Sequence, residues 1–278
     1  MKLSAAQSVV AREHGFASWP RLEAWTETAA TDLAERVDAF LQASVIGRFG
    51  VQATERRGRR ARQLLTEDPR IATYGFHTAV VLGEASHVRA QLAVDPTLAV
   101  RPDARYGWPP LLAVCRSHWH HIDPGRAGGM LDVARLLLDA GADPNTRIGS
   151  PGQRGYCSAL YGAAGLADHP ALARLLLERG ADPDSPSALY HTAFQDDRAC
   201  LQLLLEHGAT VEGPDTLAAA ISVHNLEAAR VLLDAGVDAA CPLPPEALGE
   251  SYAAELLRGG DPATHSSELC RTIARSSS

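Results

Sequence analysis

A chain of 278 residues with 46 % apolar but only 5 % aromatic residues can bury a large core, in one long domain or two short ones. A core built mainly from Ala, Leu and Val favours closely stacked helices over a thick sandwich or barrel. The formal net charge of −7 argues against a nucleic-acid partner, because neutralising phosphates requires clustered positive charge.

The cysteines and the hydropathy of the sequence indicate in which cellular compartment the protein is expected. The five cysteines are dispersed, with no Cys-x-x-Cys pair: Cys115, Cys157, Cys200, Cys241 and Cys270. No early apolar run resembles a signal peptide, and no apolar run is long enough to span a bilayer. We therefore expect reduced, mostly buried thiols, a cytoplasmic location and no membrane partner.

The first 34 residues are expected to form an N-terminal helical cap. One helix should stop at Gly15, and the next should begin after Ser18, with Pro20 in its first turn. A degenerate helix pair follows at 35–72, and it contains the basic run "RRGRRAR". We interpret this run as a solvated helix face because acidic residues lie nearby; a patch for nucleic acid or an acidic partner is the alternative.

One apolar pattern then recurs four times, each time after a shorter apolar segment. The copies are "VARLLLDAGADPN" (133–145), "LARLLLERGADPD" (172–184), "LQLLLEHGATVE" (201–212) and "ARVLLDAGVDAA" (229–240). We expect each to be a helix followed by a glycine in the left-handed conformation, at Gly141, Gly180, Gly208 and Gly236. The preceding segments should form first helices, two of them capped by the hydroxyls of Ser158 and Ser187.

These motifs resemble the ankyrin repeat, and "LLLDAGADPN" matches its last part letter for letter. The first part departs from the family pattern, because Ser-Ala or Pro-Pro replaces Thr-Pro, and Tyr161 and Tyr190 replace a histidine. The resemblance covers about 72–241, and the opening "AREHGFASWPRLEAW" is similar to a leader found in bacterial ankyrin-repeat proteins. The resemblance to ankyrin repeats implies an all-α solenoid of five to six helix pairs that binds a protein partner without catalysis.

The predicted organisation is a cap, a solenoid and a tail. The solenoid spans 35–262, and 263–278 should form a C-terminal helix or tail. The boundaries are 1–34 for the cap, 35–72 for the degenerate unit, 73–101, 102–145, 146–184, 185–212 and 213–241 for the regular units, and 242–262 for a second degenerate unit.

The spacing within the units shows where they are irregular. Leu189 and Gly208 are 19 positions apart, as are Leu217 and Gly236, whereas Leu160 and Gly180 are 20 apart. Leu111 and Gly141 are 30 apart, which indicates an insertion of 11 residues at 118–128. We expect this insertion to be an extra loop between the two helices of one repeat.

The hairpin fingers between units also differ in length. Those before Leu189 and Leu217 are about five residues shorter than in a 33-residue unit, whereas the segments 97–110 and 142–159 are long. We therefore expect the binding surface to lie within 97–160 and the adjoining concave face. The long fingers supply Arg105, Tyr106, Trp108, Arg147, Arg154 and Tyr156, all of types that dominate binding hot spots.

Outward positions of the first helices extend this surface. They are Arg116 and Ser117 in the second unit, and His191, Phe194 and Gln195 in the fourth. The third unit offers Gly162, Gly165 and Leu166, a floor with little side-chain bulk. Beside three long loops, such a floor is compatible with a pocket as well as with an open groove.

The insertion carries a further set of candidates, namely His118, Trp119, His120, His121 and Asp123. Imidazoles and a carboxylate suit zinc or acid–base chemistry, but no helical His-x-x-x-His spacing supports a metal, and "DPG" is a turn signal. We expect loop contacts or a structural role, no metal and no cofactor. No phosphate loop or nucleophile elbow is present. The alternative function is a small-ligand binder or atypical enzyme with a pocket under the insertion.

Overall fold

The computed structural model describes residues 3–13, 17–45, 51–150, 156–195, 197–211, 215–223 and 225–237. The α-helices are α1 (Leu3–Glu13), α2 (Trp19–Ser44), α3 (Val51–Glu67), α4 (Phe76–Leu82), α5 (Ala85–Val94), α6 (Pro110–Cys115), α7 (Trp119–Ile122), α8 (Ala127–Asp139), α9 (Pro170–Glu178), α10 (Ala188–Thr192), α11 (Ala199–Glu206), α12 (Asp215–Ser222) and α13 (Leu226–Asp234). The 3-10 helices are Pro69–Thr73, Pro96–Ala99 and Pro124–Arg126, and a π-helix spans Tyr161–Leu166.

Helix pairs stack along the chain, as the repeats predict. The first helices α4, α6, the π-helix, α10 and α12 pack each against the next, and so do the second helices α5, α8, α9 and α11. The middle leucine of each recurring apolar run is fully buried: Leu137, Leu176, Leu204 and Leu232. Because each pair buries its apolar side chains against its neighbours, the stack supplies a core that one pair lacks. The expectation of an all-α solenoid is confirmed.

The glycines after the second helices have the backbone conformation that the sequence predicts. Gly141, Gly180, Gly208 and Gly236 have φ between +88° and +98°. A side chain is strained in this region, so glycine ends the helix and turns the chain towards the next finger.

The two expected serine caps have different outcomes. Ser158 Oγ accepts a hydrogen bond from the Tyr161 amide at 3.0 Å, as predicted. Ser187 makes no cap hydrogen bond and lies in the left-handed region with φ of 69°. The prediction for Ser187 is wrong because the shortened finger forces a tight turn there. The buried hydroxyl of Ser185 contacts Ser158 Oγ at 2.5 Å instead.

The N-terminal helices differ from the expected boundary. As predicted, α2 begins after Ser18 with a proline in its first turn, and α1 ends before position 15. However, α2 runs for 26 residues through the expected boundary at 34/35 and packs against α3. One helix therefore belongs both to the predicted cap and to the predicted degenerate unit. The predicted segments 242–262 and 263–278 lie outside the described residues.

The extra position between Leu160 and Gly180 has a structural counterpart. The first helix of this unit is wound as a π-helix, whose backbone hydrogen bonds each span one more residue than those of an α-helix. The long finger before it forms a two-stranded antiparallel hairpin of β1 (Arg147–Ile148) and β2 (Cys157–Ser158), with Arg147 opposite Ser158. Among the described residues, no helix is both long and apolar enough to cross a membrane.

Candidate functional site

The insertion at 118–128 is helical. It consists of α7, the 3-10 helix Pro124–Arg126 and the first residues of α8, so the insertion lies between the two helices of one repeat, as expected, but it is not a loop. Asp123 caps the 3-10 helix by accepting a hydrogen bond from the Gly125 amide at 3.2 Å. Helical winding separates the side chains of His118 and His120, which an extended loop would have directed to the same side.

One side of the insertion is packed against α2. Trp119 is 2 % exposed, its Nε1 donates to Ser44 Oγ at 3.0 Å, and its ring lies 5.8 Å from that of Phe40. The His118 amide donates to the Ser44 carbonyl, and Ser117 forms an antiparallel bridge with Val45. This part of the insertion therefore joins the N-terminal helices to the repeats.

The same junction includes α3. A Cβ atom added to Gly58 would lie 3.2 Å from Ile122 Cγ1 and 3.4 Å from His118 Nε2, so glycine allows α3 to approach α7 closely. Arg62 donates to the Ile122 carbonyl. These contacts pack α3 against the insertion.

The other side of the insertion reaches the third unit. His120 Nε2 and His121 Nε2 both donate to the Ala167 carbonyl, each at 2.8 Å. The His120 ring lies 3.9 Å from that of His121 and 4.5 Å from that of His169, which caps α9 through Nδ1. We call His118, His120, His121 and His169 the histidine clamp, because their segments connect three parts of the fold.

Burial favours the neutral imidazole at three members of the clamp, His118, His120 and His169. Desolvation, with smaller contributions from the charges of Arg57 and His121, lowers the pKa of His118 to about 4. Desolvation, His121 and His169 together lower the pKa of His120 to about 3, although the hydrogen bond to Ala167 opposes the shift. Burial also lowers the pKa of His169. In the described part of the chain, no group of three or more His, Cys, Asp or Glu side chains is arranged to hold a metal ion.

The first long finger brings four of the predicted residues together. The Tyr106 and Trp108 rings stack with centroids 4.7 Å apart, and the guanidinium of Arg116 lies 5.4 Å from the Trp108 centroid. The guanidinium of Arg105 lies 5.9 Å from the Tyr106 centroid and pairs with Asp38 of α2. We call Arg105, Tyr106, Trp108 and Arg116 the arginine–aromatic stack.

Backbone contacts hold this finger in place. Asp103 Oδ1 accepts from the amides of Arg105 and Tyr106 at 2.9 and 2.7 Å, and the Asp103 amide donates to the Trp108 carbonyl. His77 Nε2 of α4 donates to the same carbonyl at 3.3 Å. The aromatic pair is therefore presented by an ordered turn that is attached to the first unit.

The second long finger separates its predicted residues. Arg147 is exposed on β1, whereas Tyr156 is only 4 % exposed and belongs to the packed base of the hairpin. Arg154 lies outside the described residues. A shallow groove runs along the base of this finger, lined by Pro144, Asn145, Arg147, Tyr156, Ser158, Leu160, Asp182, Ser185 and Pro186.

Exposed aromatic side chains continue the surface on the fourth unit. Tyr190 and Phe194 are each 40 % exposed, with rings 5.3 Å apart, and His191 lies 5.2 Å from Tyr190. Gln195 Nε2 donates to the Gly165 carbonyl at 2.9 Å. We call Tyr190, His191 and Phe194 the aromatic cluster.

The expected bare floor between the stack and the cluster is wrong. A Cβ atom on Gly162 would lie 2.9 Å from Arg116 Cγ, and one on Gly165 would lie 2.9 Å from His191 Cβ. Both glycines are buried because neighbouring first helices close over them. Arg116 and His191 therefore lie against positions about one turn apart on the π-helix, and this helix of the third unit lies between the stack and the cluster.

The predicted site residues thus divide into two groups. Ser117, His118, Trp119 and Tyr156 are buried, so they support the surface and do not form it. His121 and Asp123 are exposed, and His120 is half-buried, at the end of the insertion. Sequence reasoning missed Asp38 and Gln42, interpreted the run that contains Arg57 as a solvated helix face, and treated Tyr190 as a repeat position. The glycine inside that run was a signal that α3 approaches another element.

Comparisons with known proteins agree with this architecture. A family model described as ankyrin repeats, in three copies, matches residues 158–241. The chain is similar in structure to the human ASB11 ankyrin repeat domain, with 19 % identity, a TM-score of 0.50, and 62 % of this chain and 76 % of that chain covered. It is also similar to the ankyrin repeat domain of Bcl-3, described as a unique member of the IkappaB protein family, with 23 % identity, a TM-score of 0.46, and 81 % and 97 % covered. No curated protein matches the chain. Residues 158–241 therefore contain ankyrin repeats, and the fold is an ankyrin-repeat solenoid.

Proposed function

We propose that this chain is a non-catalytic protein-interaction module. Its binding surface consists of the arginine–aromatic stack, the aromatic cluster and the exposed part of the second long finger. The observation that carries the proposal is the convergence of Arg105, Tyr106, Trp108 and Arg116 on one ordered stack beside exposed aromatic rings. Tryptophan, tyrosine and arginine are enriched among the residues that contribute most of the binding energy at protein interfaces.

Two further features support a protein partner over a small ligand. The stack and the cluster lie on the first helices of the second and fourth units, on either side of the third unit, and a surface of this length suits an extended partner segment more than a compact molecule. The contacts of the insertion with α2 and α3 support a structural role for it. We also propose a bacterial origin from the similarity of the leader, and a cytoplasmic location, in keeping with the buried thiols of Cys115 and Cys200. Neither nucleic acid nor a membrane is proposed as a partner.

Site-specific photo-crosslinking in the native cell tests this proposal. A photoreactive benzoyl-phenylalanine at Phe194 should yield a discrete cross-linked species, which the Trp108→Ala variant should lose. The control is the same photoreactive residue at Val94, which is 87 % exposed on a second helix, away from the proposed surface. Cross-linking from position 94 but not from position 194 would contradict the proposed surface.

A further inference from the structure

The C-terminal part of α2, a helix that precedes the regular repeats, contacts the first long finger. Asp38 pairs with Arg105, and Gln42 Nε2 donates to Tyr106 Oη at 2.8 Å. Asp38 and Gln42 are four positions apart, so they lie one turn apart on the same face of the helix. One face of α2 therefore holds two consecutive residues of the finger.

The two contacts restrict the same aromatic ring. The side chain of Asp38 is 19 % exposed and that of Arg105 is 62 % exposed, so the guanidinium reaches from the finger to a partly shielded carboxylate. Water and salt weaken such an ion pair less than a fully exposed one. Because the Arg105 guanidinium lies 5.9 Å from the Tyr106 centroid and the Gln42 amide binds the Tyr106 hydroxyl, the ring is held from its face and from its polar end.

The finger's own hydrogen bonds do not fix this ring. Asp103 accepts from the amides of Arg105 and Tyr106, which sets the backbone but leaves the side-chain torsions to other contacts. The Tyr106 ring obtains these contacts from α2 and from Trp108, on which it stacks with centroids 4.7 Å apart. A side chain that is already held in its bound orientation loses less entropy when a partner binds.

The insertion fixes the end of α2 in turn. Trp119 Nε1 donates to Ser44 Oγ at 3.0 Å, and Ser117 forms a bridge with Val45. Ser44 is fully buried and lies two positions after Gln42, on the opposite face of the helix. The last turns of α2 are therefore held by the insertion on one side and contact the finger on the other.

We propose that α2 is part of the binding apparatus, with Asp38 and Gln42 as positioning residues that hold the Tyr106–Trp108 pair in the orientation in which it meets the partner. This inference rests on the proposed function, because it gives the N-terminal helices a role at the same surface. The insertion contributes indirectly, since it fixes the end of the helix that carries both positioning residues.

Fluorine NMR of the full chain labelled with fluorotryptophan tests whether α2 positions the finger. The Trp108 resonance is identified by its loss in Trp108→Phe. Asp38→Asn and Gln42→Leu should each move this resonance, because it is sensitive to the stacked ring of Tyr106. Gln42→Glu should keep the resonance near its original position, since the new carboxylate can accept a hydrogen bond from the Tyr106 hydroxyl.

Asp32→Asn is the matched control. It makes the same change in charge on the same helix as Asp38→Asn, but Asp32 pairs with Arg36, within α2. The Trp108 resonance should therefore stay in place. A movement as large as that in Asp38→Asn would show that the charge of α2, and not the contact with Arg105, sets the position of the finger.

The cross-link from position 194 tests whether this positioning matters for binding. Its yield should fall about fivefold in Asp38→Asn and in Gln42→Leu, the change expected when one intramolecular hydrogen bond or ion pair no longer supports the bound orientation. The yield should remain unchanged in Asp32→Asn and Gln42→Glu. Circular dichroism melting verifies that each variant is folded.

Three results would overturn the inference. An unchanged Trp108 resonance in both Asp38→Asn and Gln42→Leu would show that the finger keeps its position without α2. Undiminished cross-linking in both variants, with loss of the cross-link in Trp108→Ala, would leave the proposed function intact and refute the role of α2. Absence of the cross-link in the unsubstituted chain would refute the proposed function, and the inference with it.

Discussion

Mild acid should destabilise the protein through the histidine clamp. The folded-state pKa values of His118 and His120, about 4 and about 3, lie below the value near 6.5 expected in the unfolded chain. As the pH falls through about 6.5, the unfolded chain therefore binds protons that the folded chain excludes. The stabilising contribution is complete above that pH and is lost as the pH falls towards 4 and 3.

The expected loss is large compared with the stability of an ordinary domain. Integration of the proton-binding difference from pH 7 to pH 5 gives about 2 kcal/mol for each histidine, or about 4 kcal/mol for the two. Native domains are stable by only about 5–15 kcal/mol. Stopping at pH 5 keeps most carboxylates ionised, so acidic residues contribute little to the measured change.

Urea unfolding monitored by circular dichroism at several pH values measures this effect. His118→Gln should reduce the loss of unfolding free energy between pH 7 and pH 5 by about 2 kcal/mol, because the buried titrating group is gone. Ser86→Ala, at an exposed position on α5, removes no titrating group and is the control, which should leave the loss unchanged. A pH dependence that is the same in His118→Gln as in the wild type would refute the assignment of the effect to the clamp.

Three further changes test other parts of the structure. Leu204→Ala removes a fully buried side chain from the middle of the stack and should lower the unfolding free energy by about 2–5 kcal/mol in urea titrations; a loss well under about 1 kcal/mol would contradict the helix alignment. Trp119→Ala should cost about 3–5 kcal/mol, and hydrogen exchange should rise first in α2, which the ring contacts; unchanged protection of α2 would mean that the insertion does not anchor it. Gly162→Ala should displace Arg116, because the new Cβ would lie 2.9 Å from its Cγ, so partner binding should weaken while the helical content of the circular dichroism spectrum is retained; full binding would show that the position of Arg116 is unimportant.

The repeat architecture was predictable because its signals are local. A recurring run of leucines followed by glycine sets both the helix and its end, and the backbone at Gly141 and Gly180 adopts the positive φ that such a position requires. The extra residue between Leu160 and Gly180 was also visible as spacing, although its form as a π-helical turn was not. Ser187 was mispredicted because its cap depends on the path of a shortened finger.

Part of the candidate site was also predictable from the sequence. Arg105, Tyr106 and Trp108 were selected by residue type and by the length of their finger, and Arg116 by its position on a first helix. Their mutual stacking, and the support from Gln42, depend on how α2 lies against the first repeats. Tyr156 was selected by the same criteria, yet it is buried, at the residue directly before β2, which pairs with β1.

The sequence by itself determined the helix pairs, their ends, the place of the insertion and the lengths of the fingers, since each depends on residues a few positions apart. Tertiary structure alone decided what the insertion does. Its tryptophan meets Ser44, 75 positions earlier, and its histidines meet the carbonyl of Ala167, more than 40 positions later. Such contacts depend on the packing of whole helices and on the exclusion of water around them, and no local pattern records either one.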